Sequence, residues 1–190
     1  FDIRFDDVCI DRLEDDIRFQ MSTRESLIDL VASPWPVGGA ARDPLILDWE
    51  RDRDRVHVPR EWLSLDRDAV NRDCAATDLY TTSTHWVRPF EQLQFLRGSE
   101  NTFLDLAEGE PAMKSFLAEM HAFYCEFFET WCRTDVDSIR FMDDWGSQRS
   151  LLIAPQLWRE IFKPLYRDYT QIAHSHGKKI FMHSDGYIAS

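Results

Sequence analysis

Two short stretches hold the residues best suited to chemistry. FMDDWGSQ, over 141–148, ends an apolar run in the adjacent acids Asp143 and Asp144, and FMHSDGYI, over 181–188, ends another in His183-Ser184-Asp185. Imidazole changes charge near neutrality, and carboxylates can move a proton, orient a polar substrate or ligate a metal. The two stretches could therefore supply an acid/base pair or half of a metal centre. Each motif alone has a plain structural account, since acids at strand ends anchor loops and a His-x-Asp can be a satisfied polar pair. Position is what raises them above that account.

The elements that set their position are readable. The run over 136–144 is mostly apolar and β-branched, and the run over 179–185 reads as the next strand. Between them Pro155 opens a helix in which Leu157, Trp158, Ile161, Phe162, Leu165, Tyr169, Ile172 and Ala173 keep helical spacing. Gly177 is placed to end it. Pro164 lies inside that run and predicts a kink or break near Phe162. Strand, helix and strand with short links make a βαβ unit, with parallel strands and a right-handed crossover. Neighbouring strands lie about 4.8 Å apart, so their carboxyl ends share one rim. That rim is where parallel α/β proteins and (β/α)8 barrels bind ligands.

Side-chain alternation then separates the four residues. His183 and Asp185 point the same way, whereas Asp143 and Asp144 point oppositely. Asp144, where the turn toward WGSQ begins, is expected on the rim. Asp143 is expected to cap a loop or a neighbouring helix. His174 and His176 have a simpler role beside the negative end of the helix dipole.

Elsewhere, Pro111 precedes the clearest periodicity in the chain. Met113, Phe116, Leu117, Met120, Tyr124, Phe127, Phe128 and Trp131 form one helical face, read as core packed on the sheet. TDLYTTSTHW, over 77–86, reads as a strand running into a loop. A helix follows from Pro89 through Leu96, with Gly98 ending it. Ser22 and Glu25 have capping-box spacing for a helix over 23–32, stopped by SPWPVGG. WERDRDRVHV alternates acids and arginines and reads as a solvated face, with a local arginine site for an anion as the other account.

An apolar share of 44% is enough for a packed core. A net charge of −12 argues against general affinity for nucleic acid or anionic membranes, and against a highly anionic substrate unless arginines cluster. The four cysteines, Cys9, Cys74, Cys125 and Cys132, lack C-x-x-C spacing and read as free, mostly buried thiols. No secretory signal and no membrane-length apolar run is present, so a soluble, cytoplasmic protein is expected. The start at Phe1 and the stop at Ser190 behind a strand-like run suggest part of a larger enzyme.

FEQLQFLRGSENTFLDLAEGEP, DSIRFMDDWGSQRSLLIAPQLWREIFKPLY and GKKIFMHSDGYI together resemble the uroporphyrinogen decarboxylase superfamily, which includes methylcobamide:coenzyme M methyltransferases. The resemblance spans 77–190, carried by D-D-x-G-x-Q, S/A-P-x-x-W-R-E and H-x-[CD]-G in that order; residues 1–70 match poorly. It implies a single domain with an α/β fold, a (β/α)8 TIM barrel of which this chain holds the N-terminal and middle portion without the last strands. It also implies Asp144, His183 and Asp185 as catalytic residues and Asp143, Gln148, His85 and Tyr187 as substrate contacts. In the methyltransferases the His of H-x-C binds a zinc that activates a thiol. His183 matches that His, while Asp185 stands where the family has Cys. His183 and Asp185 would then hold zinc in a changed site, or no metal at all.

The function implied first is methyl or one-carbon transfer, with a corrinoid, a corrinoid protein or a methylated small molecule as donor. Decarboxylation of uroporphyrinogen, which needs no metal, is the alternative. A catalytically silent ligand-binding barrel is a third reading, and a homodimer stays open as the assembly. TTSTHWVRP departs from the run expected of true decarboxylases, and their N-terminal aspartate motif is not found here.

Overall fold

Two parallel strands and the helix that joins them position everything that follows. The computed structural model describes residues 44–83 and 87–188. Among these the chain runs through α1 (Trp49–Asp52), α2 (Arg67–Ala75), α3 (Pro89–Arg97), α4 (Ser99–Glu108), α5 (Pro111–Cys132), β1 (Ser138–Met142), α6 (Pro155–Ser175) and β2 (Lys179–His183). Short 3-10 turns occupy Arg53–Arg55 and Arg60–Leu63. The fold is of mixed α/β type. The helix expected over 23–32, with its Ser22–Glu25 cap and the following SPWPVGG turn, lies outside the described residues, as does Cys9.

β1 and β2 pair in parallel from Ser138↔Lys179 to Met142↔His183, as the βαβ pattern predicts. Both ladders stop two residues earlier than the sequence suggests. Asp143, Asp144 and Asp185 thus sit in the turns just beyond the strands rather than within them. The segment expected as a strand near 77–86 contributes one parallel bridge, Thr82↔Ser138, with Ser83 N–H donating to the Ser138 carbonyl at 3.0 Å. The Met142 N–H also donates to the Val87 carbonyl at 3.1 Å. The N–H groups of Ser138, Arg140 and Met142 all point to this side, Arg140 N–H donating to Ser83 Oγ at 2.9 Å, so the segment flanks the other edge of β1.

Alternation along β1 sorts its two faces. Ile139 and Phe141 are buried. Phe141 meets Phe128 of α5 at 6.0 Å and Tyr169 of α6 at 5.8 Å between ring centroids. The aromatic stripe of α5 is therefore core, and Met113, Phe116, Leu117, Met120, Tyr124, Phe127 and Phe128 are all buried, as its spacing predicts. α5 begins where Glu110 accepts the Ala112 N–H at 3.0 Å and Pro111 fills the first turn, whose N–H would otherwise be unpaired.

α6 runs unbroken from Pro155 to Ser175, through Pro164. The expected break does not occur. An internal proline removes one N–H and crowds one carbonyl, that of Glu160, while Phe162, Tyr166, Tyr169 and Ala173 bury the opposite face and hold the helix in register. Gly177, at φ +71°, then takes the left-handed position that ends it, and Lys178 N–H closes back on the Ala173 carbonyl at 3.0 Å. Gly98 ends α3 in the same way that its place in the sequence suggests, at φ +82°.

The acid and arginine run over 49–58 is not simply a solvated face. Trp49, Asp52 and Val56 are buried on one side of α1 and the turn that follows. Arg51 donates to Asp52, and this pairing, helped by the Leu47 and Asp48 N–H groups, holds its carboxyl well below the usual carboxylate range. Trp49 Nε1 donates to Asp105 at 2.8 Å, and Arg97 pairs with the same carboxylate. Cys74, Cys125 and Cys132 are free, and burial pushes the Cys125 thiol up to about 12 and the Cys132 thiol up to about 11. No described helix is long and apolar enough to cross a membrane.

Candidate functional site

The ends of β1 and β2 open into two turns that are locked together. Gly146 and Gly186 lie back to back: a Cβ on Gly146 would meet the Gly186 carbonyl carbon at 2.4 Å, and one on Gly186 would meet the Gly146 oxygen at 2.2 Å. Gly186 also sits at φ +81°, where side chains are strained. Backbone bonds stitch the turns across this contact, with Gly146 N–H donating to Asp185 O at 3.1 Å and Tyr187 N–H to Ser147 O at 2.8 Å. Trp145 N–H donates to Ser184 Oγ at 3.0 Å. Trp145 itself is buried, stacked on Phe90 with centroids 4.1 Å apart, and donates from Nε1 to the Tyr166 hydroxyl at 2.8 Å.

This clamp brings Asp144, His183 and Asp185 together. His183 Nε2 lies 3.2 Å from Asp185 Oδ1 and 3.9 Å from Asp144 Oδ1. Asp144 Oδ1 also accepts the Asp185 N–H at 2.8 Å. The side chains of Asp144, His183 and Asp185 are 31%, 42% and 76% exposed, so the group opens to solvent.

One nitrogen and two carboxylates, with ligand atoms all within 4.8 Å of one another, suit a divalent cation. Bonds of about 2.1 Å at right or tetrahedral angles place neighbouring ligand atoms roughly 3.0 to 3.4 Å apart. Small side-chain adjustments of an exposed trio cover the remainder. Two hard oxygens and one imidazole suit manganese, iron or zinc, and three protein ligands leave coordination positions for a substrate or water.

Asp143 takes the other role. It is fully buried, accepts the Phe90 and Glu91 N–H groups at 2.9 Å each, and accepts the Tyr166 hydroxyl at 2.5 Å. It therefore caps the first turn of α3, whose Arg88 offers no side-chain cap. Burial pushes its carboxyl up to about 7 against the three donors. The same burial, with the Asp143 charge beside it, raises Tyr166 well above its ordinary range. Asp143, expected as a substrate contact, has its carboxylate enclosed by protein donors. Of the other expected contacts, Gln148 is exposed at the tip of the Ser147–Ser150 turn. Tyr187 is 51% exposed beside the clamp. His85 lies outside the described residues.

Glu91 escapes the sequence reading. It stands in the first turn of α3, with its side chain only 14% exposed and its Oε1 3.9 Å from Arg88 Nη1. Burial raises its pKa. The available signal is Pro89 at the start of a helix that follows a strand-like segment, because helices in βα units begin at the carboxyl rim. Among protein-family models, curated proteins and solved structures, none matches this chain.

Proposed function

We propose that the chain forms an arc of a (β/α)8 barrel enzyme of the uroporphyrinogen decarboxylase type, acting in methyl or one-carbon transfer, with Asp144, His183 and Asp185 holding a divalent cation at its rim. The observation that carries this reading is the convergence of the three side chains at the carboxyl ends of two adjacent parallel strands. Residue types, order and rim position agree with the motif resemblance in D-D-x-G-x-Q and H-x-[CD]-G. A bound cation would supply Lewis acidity toward a substrate oxygen or sulfur. The chain's own residues do the rest. His183 and Asp185 present donors on one side, and Asp144, fixed through the Asp185 N–H, orients the polar end of a substrate.

Asp185 in place of cysteine exchanges a soft ligand for a hard one, which favours an oxygen-bearing acceptor over a thiol. Decarboxylation of a substrate with many carboxylates fits less well, because this rim presents two acids and the chain carries a net charge of −12. The test is turnover with a methylcorrinoid donor, followed by its visible absorption. His183→Ala should lower turnover at least about 100-fold, and Asp185→Cys should raise zinc content. Unchanged turnover in His183→Ala would reduce the rim histidine to a structural role.

A further inference from the structure

We propose that the face of the sheet turned away from α5 and α6 binds a carboxylate, held by the Arg140 guanidinium, the Lys179 ammonium and the hydroxyls of Ser138 and Thr82. The rim trio takes no part in it. Register defines the face. Ile139 and Phe141 of β1, with their partners Ile180 and Met182 of β2, pack toward the helices. Alternation then gives the other face to Ser138, Arg140 and Met142, paired with Lys179, Phe181 and His183. Thr82 joins them, because it bridges Ser138 in parallel and paired residues share a face. Tyr80, two residues before Thr82, meets Phe181 at 6.4 Å between ring centroids, so the three segments adjoin on this side.

Two observations point to an anion there. The first is a pair of hydroxyls without acceptors. Ser138 is fully buried, and neither its Oγ nor the buried Thr82 Oγ1 has a hydrogen-bond partner among the described residues. Buried polar groups are almost always paired, and leaving one unpaired is costly. Neighbouring strands lie about 4.8 Å apart, so the two hydroxyls can converge on one ligand. The second is charge. In a chain of net charge −12, this face carries a guanidinium and an ammonium, and neither strand places an acid on it. Arg140 is half-buried, about 6.6 Å along the strand from Ser138. Burial lowers its pKa, a cost that an anion beside it would offset. A guanidinium matches a carboxylate in two parallel hydrogen bonds, and hydroxyls donate to its remaining lone pairs. A phosphate dianion fits less well, because the acidic chain repels it more strongly.

The probe is acetate, titrated into the chain and followed by saturation-transfer NMR of its methyl protons. Ser138→Ala should weaken binding about tenfold, as loss of a hydrogen bond to a charged group does, with Tm unchanged or higher because the hydroxyl removed has no partner. Arg140→Gln should abolish binding, and Lys179→Gln, which removes an exposed charge, should weaken it about threefold. Should Arg140→Gln fail to fold, Ser138→Ala decides alone. His183→Ala should bind acetate as the unaltered chain does. No binding to the unaltered chain, or equal binding in Ser138→Ala, overturns the proposal. Loss of binding in His183→Ala also overturns it, by moving the anion to the rim. Propionate should displace acetate at lower concentration than phosphate does, and the reverse order overturns the carboxylate assignment.

Discussion

Adjacent acids of one type do opposite work here, and their difference is one of burial. Asp143 serves two backbone donors and a hydroxyl in the interior, whereas Asp144 meets solvent at the rim. The division was legible from alternation at the strand end, which predicts one rim acid and one cap. Which helix receives the cap was not, because that depends on where α3 begins in space. Asp143→Ala leaves two N–H groups and the Tyr166 hydroxyl without their acceptor, and should cost roughly 3 kcal/mol by denaturant unfolding at pH 7. Asp143 also gives stability a pH dependence. Its folded pKa of about 7 lies above the unfolded carboxylate value, so the folded chain holds the extra proton between these values. The stabilisation is complete below about pH 4 and is lost as pH rises through about 7. Unfolding measured from pH 4 to 8 should show this decline in the unaltered chain and lack it in Asp143→Ala.

At the scale of elements, periodicity carried most of the fold. The α5 stripe is buried as its spacing predicts, and the helix after Pro155 and the two parallel strands form where expected, although the helix runs through Pro164 without the expected break and both strands end two residues early. α4 was not legible as a separate helix, although Gly98 and Gly109 bracket it, the latter in the left-handed region. The burial of Asp52 was hidden by its charged neighbours, since a four-residue helix is too short to show a period. Pro164 is exposed on α6. Pro164→Ala restores a donor to the Glu160 carbonyl and should stabilise the chain by roughly 1 to 3 kcal/mol, seen as a higher Tm. The two rim turns behave as one unit. Gly186→Ala would force a Cβ into the Gly146 backbone and should separate Asp144 from His183 and Asp185. Co2+ affinity should then fall by more than about tenfold while the far-UV spectrum is kept.

Across the whole molecule, the rim follows from topology more than from any single motif. A parallel pair places both carboxyl ends on one side, and the register Met142↔His183 sets the two turns at one level. The sequence reading could therefore bring Asp144, His183 and Asp185 together without knowing a distance. It could not find Glu91, an acid in the first turn of α3 whose side chain is only 14% exposed. Nor could it find the Gly146–Gly186 contact, which is a backbone approach between separate turns and leaves no periodic trace. The most direct measurement is anomalous diffraction from crystals soaked in Mn2+. A single strong peak within bonding distance of His183 Nε2 and of carboxylate oxygens of Asp144 and Asp185, absent from His183→Ala crystals, is the predicted result. Peaks elsewhere only, or a peak that persists in His183→Ala, would contradict the account.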